Sequence, residues 1–290
     1  MKKTWIVFIV AALSLFMYGC SSDDGSDSTE DSKPKLTLGV TNWTSTVPPT
    51  KIVHHILEDM GYEVDEIEAD AGSIYTGMSN GDIDIFMDSW YPNQKQYIEK
   101  YSDSIESIAI SYSDANSGMV VPKYMEDIND MADLKGKEDL VDNEMLAIGE
   151  GDPAIDNMRK MIDSYGLDIE MTNSSEAAML AAVKPKIENK EPVLFYGWRP
   201  HSMFNKYDLK ILTNKDAEYD FFDGSDIHVI ANTKLKEKAP EAYDFLSNWS
   251  ISIDDVEEMI AEIDNDADPD KVAQEWIDNH QDKIDDMKND

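Results

Sequence analysis

Three tryptophans in this 290-residue chain stand where core packing does not ask for them. Trp43 lies in Thr41-Asn42-Trp43-Thr44-Ser45, just past the first predicted strand. Trp90 lies in Asp88-Ser89-Trp90-Tyr91-Pro92-Asn93 and Trp198 in Tyr196-Gly197-Trp198-Arg199-Pro200-His201, each again just past a strand. In open α/β sheets ligands bind outside the carboxyl ends of strands, so three indoles delivered there are expected to line one pocket. Trp249 and Trp276, by contrast, fall on apolar helical stripes and read as core. Indole faces hold cations through the ring quadrupole and dispersion. A quaternary ammonium, which has no N–H to donate, suits such a wall better than it suits hydrogen-bond acceptors. If the ligand also carries a carboxylate, the other side must offer donors. Backbone N–H groups at Glu150 and Gly151, ahead of a helix predicted from Ile155, are the candidates.

Other chemistries fall away quickly. With 25 Lys+Arg against 60 Asp+Glu the net charge is −35, and no basic stripe exists to displace phosphate counterions, so nucleic acid is not an expected partner. Only Arg159 and Arg199 are arginines, which excludes multi-arginine phosphate clamps. There is no HExxH, GxxxxGK[ST] or GxGxxG. The five histidines have no acid or nucleophile at informative spacing, and the single Cys20 excludes disulfide frameworks and cysteine zinc sites. Asp264, Asp266, Asp268, Asp270 and Glu275 resemble a calcium loop, but Pro269 occupies the position of the sharp-turn glycine. That stretch reads as a helix start, so neither a metal nor a cofactor is expected, and the chain is not expected to be an enzyme. The dense acidic surface suits an exterior exposed to high salt.

The elements that must position the tryptophans alternate. Leu36–Val40 reads as a strand, and Pro48-Pro49 opens a helix with Ile52, Val53, Ile56, Leu57 and Met60 on one face. Tyr62–Ile67 is a strand, Ser73–Ser79 a short helix and Ile83–Met87 a strand. Gly118–Pro122, Ala147–Gly149, Val193–Tyr196 and Ile227–Ile230 are further strands, with a helix over Ile155–Tyr165. Ser252 and Asp268-Pro269 cap two closing helices. The fold class is therefore α/β, as two lobes each with its own sheet.

Residues 1–19 carry Lys2 and Lys3 before an apolar run too short to span a bilayer, and read as a signal peptide. Cys20 follows at once in Met17-Tyr18-Gly19-Cys20. This resembles a bacterial lipobox, with Met17 where that motif usually has Leu, and makes Cys20 the expected lipidation site. Residues 20–34 are then a flexible acidic linker, and the body of the protein is held to the outer face of the cell membrane.

The chain resembles the glycine betaine-binding proteins of osmoprotectant ABC importers, in the betaine/choline/proline-betaine group, from Leu36 to Ile284. The most specific stretches are Gly197-Trp198-Arg199-Pro200-His201-Ser202-Met203-Phe204 and Gly81-Asp82-Ile83-Asp84 leading to Ser89-Trp90-Tyr91-Pro92-Asn93. Gly118–Met125 and Pro269–Ala273 add support. The resemblance implies a two-lobed periplasmic-binding-protein-like (type II) fold, with a two-segment hinge near Gly118–Val121 and Ile227–Ile230. Lobe 1 would be residues 35–117 plus 229–290, and lobe 2 residues 118–228. It implies an aromatic cage of Trp43, Trp90 and Trp198, carboxylate-binding amides at Glu150 and Gly151, and a further contact from His201. Gly149-Glu150-Gly151-Asp152-Pro153 departs from the usual Gly-x-Asp/Glu-Pro-Gly order. The histidine that such proteins often carry after the second tryptophan is absent, and Gln94 or Lys95 is the expected substitute donor. Choline-selective relatives carry an acid two residues after the first cage tryptophan, where this chain has Ser45. The implied ligand is a quaternary ammonium zwitterion, with choline or carnitine the alternative and an α/β enzyme acting on a small cation the more distant one. The implied partner is a membrane permease, and the chain is expected to act as a monomer.

Overall fold

The computed structural model describes residues 33–150, 152–215 and 224–289. The expected leader, Cys20 and most of the acidic linker lie outside the described residues. β1 (Lys35–Val40) leads through α1 (Val47–Asp59) to β2 (Glu63–Glu68), α2 (Ala71–Asn80), β3 (Ile85–Tyr91) and α3 (Lys95–Lys100). Then come β4 (Ile105–Pro122), β5 (Glu144–Ala147), α4 (Pro153–Tyr165), β6 (Glu170–Asn173) and α5 (Glu176–Glu188). β7 (Phe195–Arg199), α6 (Met203–Lys206), β8 (Leu209–Ile211) and β9 (Ser225–Asn232) follow. The chain closes with α7 (Leu235–Lys238), α8 (Pro240–Ser247), α9 (Ile253–Ile263), α10 (Pro269–Asn279) and α11 (Gln281–Asn289). No described helix is long and apolar enough to cross a membrane.

Local chemistry explains the helix ends. Pro48 and Pro49 sit in the first turn of α1, where a missing N–H costs nothing, and Ile52, Val53, Ile56 and Leu57 are buried behind them. Ser252 caps α9 by accepting from the Asp255 N–H at 3.1 Å. Asp268 caps α10 by accepting from the Asp270 N–H at 3.1 Å, with Pro269 as the first helical residue. The acid-rich run through Asp268 is thus a helix start.

The strands join in the order β2-β1-β3-β9-β4-β7-β5-β6, with β8 also on β4. The two sheets expected from the sequence share a strand. Ile105–Ala115 of β4 pairs with β9, and Asn116–Val120 pairs antiparallel with β7. The exchange of partners falls between Ala115 and Asn116. Gly118–Val121 lies beyond it, and Ile227–Ile230 lies before it, paired to both β3 and β4. Because each half of the sheet sends strand ends to the same junction, loops from both halves meet there.

Behind the first half, the closing helices pack on β4 and α1. Trp249 is buried and its Nε1–H donates to Ser111 Oγ at 2.8 Å, while its ring lies 6.3 Å from that of Trp276. Trp276 is also buried, against His280 at 4.4 Å. Trp276→Ala should therefore lower unfolding free energy by about 3–5 kcal/mol in urea titrations followed by circular dichroism.

Candidate functional site

Trp43, Trp90 and Trp198 line one cavity at the junction, about 270 Å³ with the space open to solvent included. All three are more than nine-tenths buried. Tyr196 completes the aromatic wall, with its ring centroid 5.7 Å from that of Trp198. The two occupy alternate positions of β7 and so share a face. Between them Gly197 points the other way, where an added Cβ would come within 2.7 Å of Val120 Cγ2. A residue larger than glycine would push β7 away from β4 and take the wall with it.

The rings are held by polar ties from behind. Asp88, fully buried in β3, accepts from Ser45 Oγ and Thr46 Oγ1, each at 2.8 Å, and from Tyr112 OH at 3.4 Å. The Trp90 side chain also hydrogen-bonds to it. One carboxyl thus fixes the loop after β1, which carries Trp43, against the strand that carries Trp90. Burial holds this carboxyl above the usual range, and the hydrogen bonds oppose that shift. Trp198 has His201 edge-on at 5.0 Å and 82°.

The rest of the cavity lining is Asn93, Ile148, Asp152 and Ala154. Asn93 is buried, and its Oδ1 accepts from Asn157 Nδ2 at 3.4 Å. Its own Nδ2 has no hydrogen-bond partner among the described residues, nor has Trp198 Nε1. Asp152 is the N-cap of α4, with Oδ1 accepting from the Ala154 N–H at 2.6 Å and Oδ2 from Gln94 Nε2 at 3.0 Å. The cavity therefore combines aromatic faces, one carboxyl group and unspent N–H donors. Walled by large rings on several sides, it suits a small ligand.

The chain matches the family model described as the substrate binding domain of the ABC-type glycine betaine transport system over residues 34–279. It belongs to that family. Among curated proteins it is 36% identical over 126 residues to the glycine betaine/carnitine transport binding protein GbuC of Listeria monocytogenes. That match takes in 42% of this chain and 41% of the relative, so the chain spans about two fifths of the relative's length. Among solved structures, lactococcal OpuAC in its closed-liganded conformation with glycine betaine superposes with a TM-score of 0.82 at 28% identity. The match covers 89% of this chain and 100% of that one. A choline binding protein in complex with choline gives 0.80 at 26% identity, over 88% and 91% of the two chains. The fold is accordingly the two-lobed one of the periplasmic-binding-protein-like class, with β4 common to both lobes.

Within this glycine betaine-transport family member the expected donors fall in different places. Gln94 is buried but spent: its Oε1 accepts from Tyr75 OH at 3.0 Å while its Nε2 serves Asp152. Lys95 is exposed, ion-paired to Glu99 at 3.4 Å, and outside the cavity lining. Glu150 is exposed and paired to Arg159 at 2.8 Å. Gly151 lies outside the described residues, and the cavity instead touches Asp152 and Ala154 on the first turn of α4. His201 is buried against Trp198 rather than on the cavity surface. Asn93, Asp152 and Tyr196 were not singled out as ligand contacts, although the two-residue spacing of Tyr196 and Trp198 marks them as neighbours on one face.

Burial pushes the Asp152 carboxyl up from 3.8 to about 6, against the pull of its two hydrogen bonds. The folded state thus binds its proton more tightly than the unfolded state. The stability this group contributes is greatest below pH ~4 and is lost as pH rises through ~6, a span of about 3 kcal/mol. Asp152→Asn keeps an N-cap and removes the titration. Urea unfolding between pH 4 and 7 should show wild type falling relative to this variant by up to that amount, and parallel profiles would refute the assignment.

Proposed function

We propose that this chain captures glycine betaine or a close quaternary ammonium zwitterion outside the cell and delivers it to the permease of an ABC importer. The observation that carries this reading is the conjunction in one small cavity of four aromatic faces and the Nδ2 of buried Asn93, unpartnered among the described residues. The rings suit a trimethylammonium group. An unpaired buried donor costs roughly 1–3 kcal/mol, and a ligand carboxylate removes that cost with a charge-assisted bond that a neutral hydroxyl acceptor does not match. In the proposal Trp43, Trp90, Trp198 and Tyr196 form the cage and Asn93 replaces Gln94 and Lys95 as the carboxylate's side-chain donor. Amides at the start of α4 remain candidates for the second donor.

Choline is the second reading, and the Asp152 carboxyl in the cavity wall favours it. A choline hydroxyl can donate to a carboxylate, and the choline-bound relative is nearly as similar as the glycine betaine-bound one.

The lobes are read as residues 35–117 plus 229–290 and 118–228, a division supported by the change of β4 partners between Ala115 and Asn116. Residues 1–19 are read as a cleaved signal, Cys20 as the lipidated first residue and the mature protein as a non-catalytic monomer. Cys20→Ala should release the protein from the membrane or leave it unprocessed. Retained anchoring in the processed variant would refute this.

Calorimetric titration of glycine betaine and choline into the same preparation tests the ligand. Glycine betaine should bind more tightly by about one to two orders of magnitude, and Asn93→Ala should narrow that gap. Trp43→Ala, Trp90→Ala and Trp198→Ala should each cost about 1–3 kcal/mol of binding with folding retained. Choline binding as tightly as glycine betaine would give the site to the second reading. Wild-type affinity in Trp90→Ala would remove the cage.

A further inference from the structure

We propose that Glu176 is a positioning residue that clamps the two sides of the cavity together, a role that rests on the ligand reading above. Glu176 is buried at 5% exposure and opens α5. Its Oε2 accepts from the backbone N–H of Thr44 at 3.1 Å, on the loop beside Trp43. Its Oε1 lies 3.1 Å from His201 Nε2. The Met203 N–H donates to His201 Nδ1 at 2.9 Å, so Nδ1 is the acceptor of the ring and the proton sits on Nε2. His201 therefore donates to Glu176, and its ring stands against Trp198. One carboxylate joins the neighbour of one cavity tryptophan to the support of another.

The chemistry makes this contact conditional on the closed arrangement. Thr44 belongs to the β1 side of the junction and Glu176 to the β5–β7 side, and among the described residues no lysine or arginine is ion-paired with the carboxylate. Its charge is met by the Thr44 N–H, by His201 and by its place at the start of α5, where the helix dipole favours an anion. Separation of the two sides would remove the Thr44 donor and admit water. Closure thus exchanges solvent for a charge-assisted hydrogen bond and locks the loop that carries Trp43.

Other hydrogen bonds join the same two sides among the described residues: Gln94 to Asp152 at 3.0 Å, Asn157 to Asn93 at 3.4 Å, and Ser202 and Lys206 (3.1 Å) to Asp264. The first two end on residues that line the tryptophan cavity. Glu176 does not line it, so its substitution alters closure without removing a ligand contact.

A glutamine cannot substitute. Its single oxygen could serve Thr44, but its NH₂ would then face the Nε2–H of His201, whose tautomer the Met203 N–H fixes. Glu176→Ala and Glu176→Gln should therefore act alike. Stopped-flow tryptophan fluorescence on the full chain, with glycine betaine and with choline as probes, reads the effect. A clamp that forms after docking should leave the association rate unchanged. It should raise the dissociation rate by roughly tenfold to a hundredfold, by a similar factor for both ligands.

Thr44→Pro removes the same N–H at a helix-start position that tolerates proline. Added to Glu176→Ala it should change the dissociation rate by less than about twofold, because the shared contact is already gone. If the alanine variant does not fold, the near-isosteric glutamine variant carries the test. Unchanged dissociation in either folded variant, or independent effects of the two substitutions, would overturn the clamp while leaving ligand binding intact. A wild-type chain that binds neither probe would overturn the ligand reading and the clamp with it.

Discussion

An aromatic wall has little directional grip of its own, so the spacing of its rings must be imposed from behind. Attraction between an indole face and a cation falls with distance but does not lock a side chain in place. In this protein the locking is done by buried polar groups. Asp88 gathers donors from the loop after β1, from β4 and from Trp90 itself. Burying a carboxyl in that position is costly, and the converging hydroxyl and indole donors offset it. An apolar residue of similar size at position 88 would leave Ser45 and Thr46 without their acceptor. The loop carrying Trp43 would then lose its register against the strand carrying Trp90.

The second constraint is β4. A single strand runs through both halves of the sheet, so the halves are joined by continuous backbone yet hydrogen-bond to different partners on either side of Ala115–Asn116. On the far side Gly118 lies directly opposite Gly197, and Gly197 has no room for a side chain against Val120 and Met203. The close approach of β4 and β7 at that point brings the Tyr196–Trp198 face to the junction. The same residues that make the sheet narrow there make the cavity wall.

Much of this was legible in the sequence. The periodic apolar face of α1, the Ser252 and Asp268-Pro269 caps and the delivery of three tryptophans to strand ends all follow from local rules, and the structure places those indoles around one cavity. The first two thirds of β4 did not stand out. Its burial is irregular and its pairing to β9 is interrupted by three register shifts, so neither period is clean. That Asn93 lines the cavity, and Gln94 and Lys95 do not, was hidden for a different reason. Asn93, Gln94 and Lys95 are consecutive where a turn runs into α3, and composition cannot say which of them faces the cleft. Charge favoured Lys95, but a lysine there gains more from water and Glu99 than from a dry cavity. Glu176 and Thr44 meet across 132 residues, with no local pattern to announce the pair.

Electrostatics closes the account of selectivity. A net charge of −35 draws a free cation such as choline toward the surface more strongly than a neutral zwitterion. That attraction is diffuse and fades within about 10 Å at 0.1 M salt, sooner in brine. It also acts on encounter rather than on the bound state, so it cannot by itself sort ligands that share a trimethylammonium group. Sorting has to come from groups that water and salt do not reach. Within the cavity those are the Asp152 carboxyl, already committed to the α4 N-terminus and Gln94, and the Asn93 amide, committed on its oxygen and unpartnered on its nitrogen among the described residues. An occupied acceptor beside an unoccupied donor asks the ligand for negative charge at one end. In the proposed reading the rings take positive charge at the other, and a zwitterion answers both.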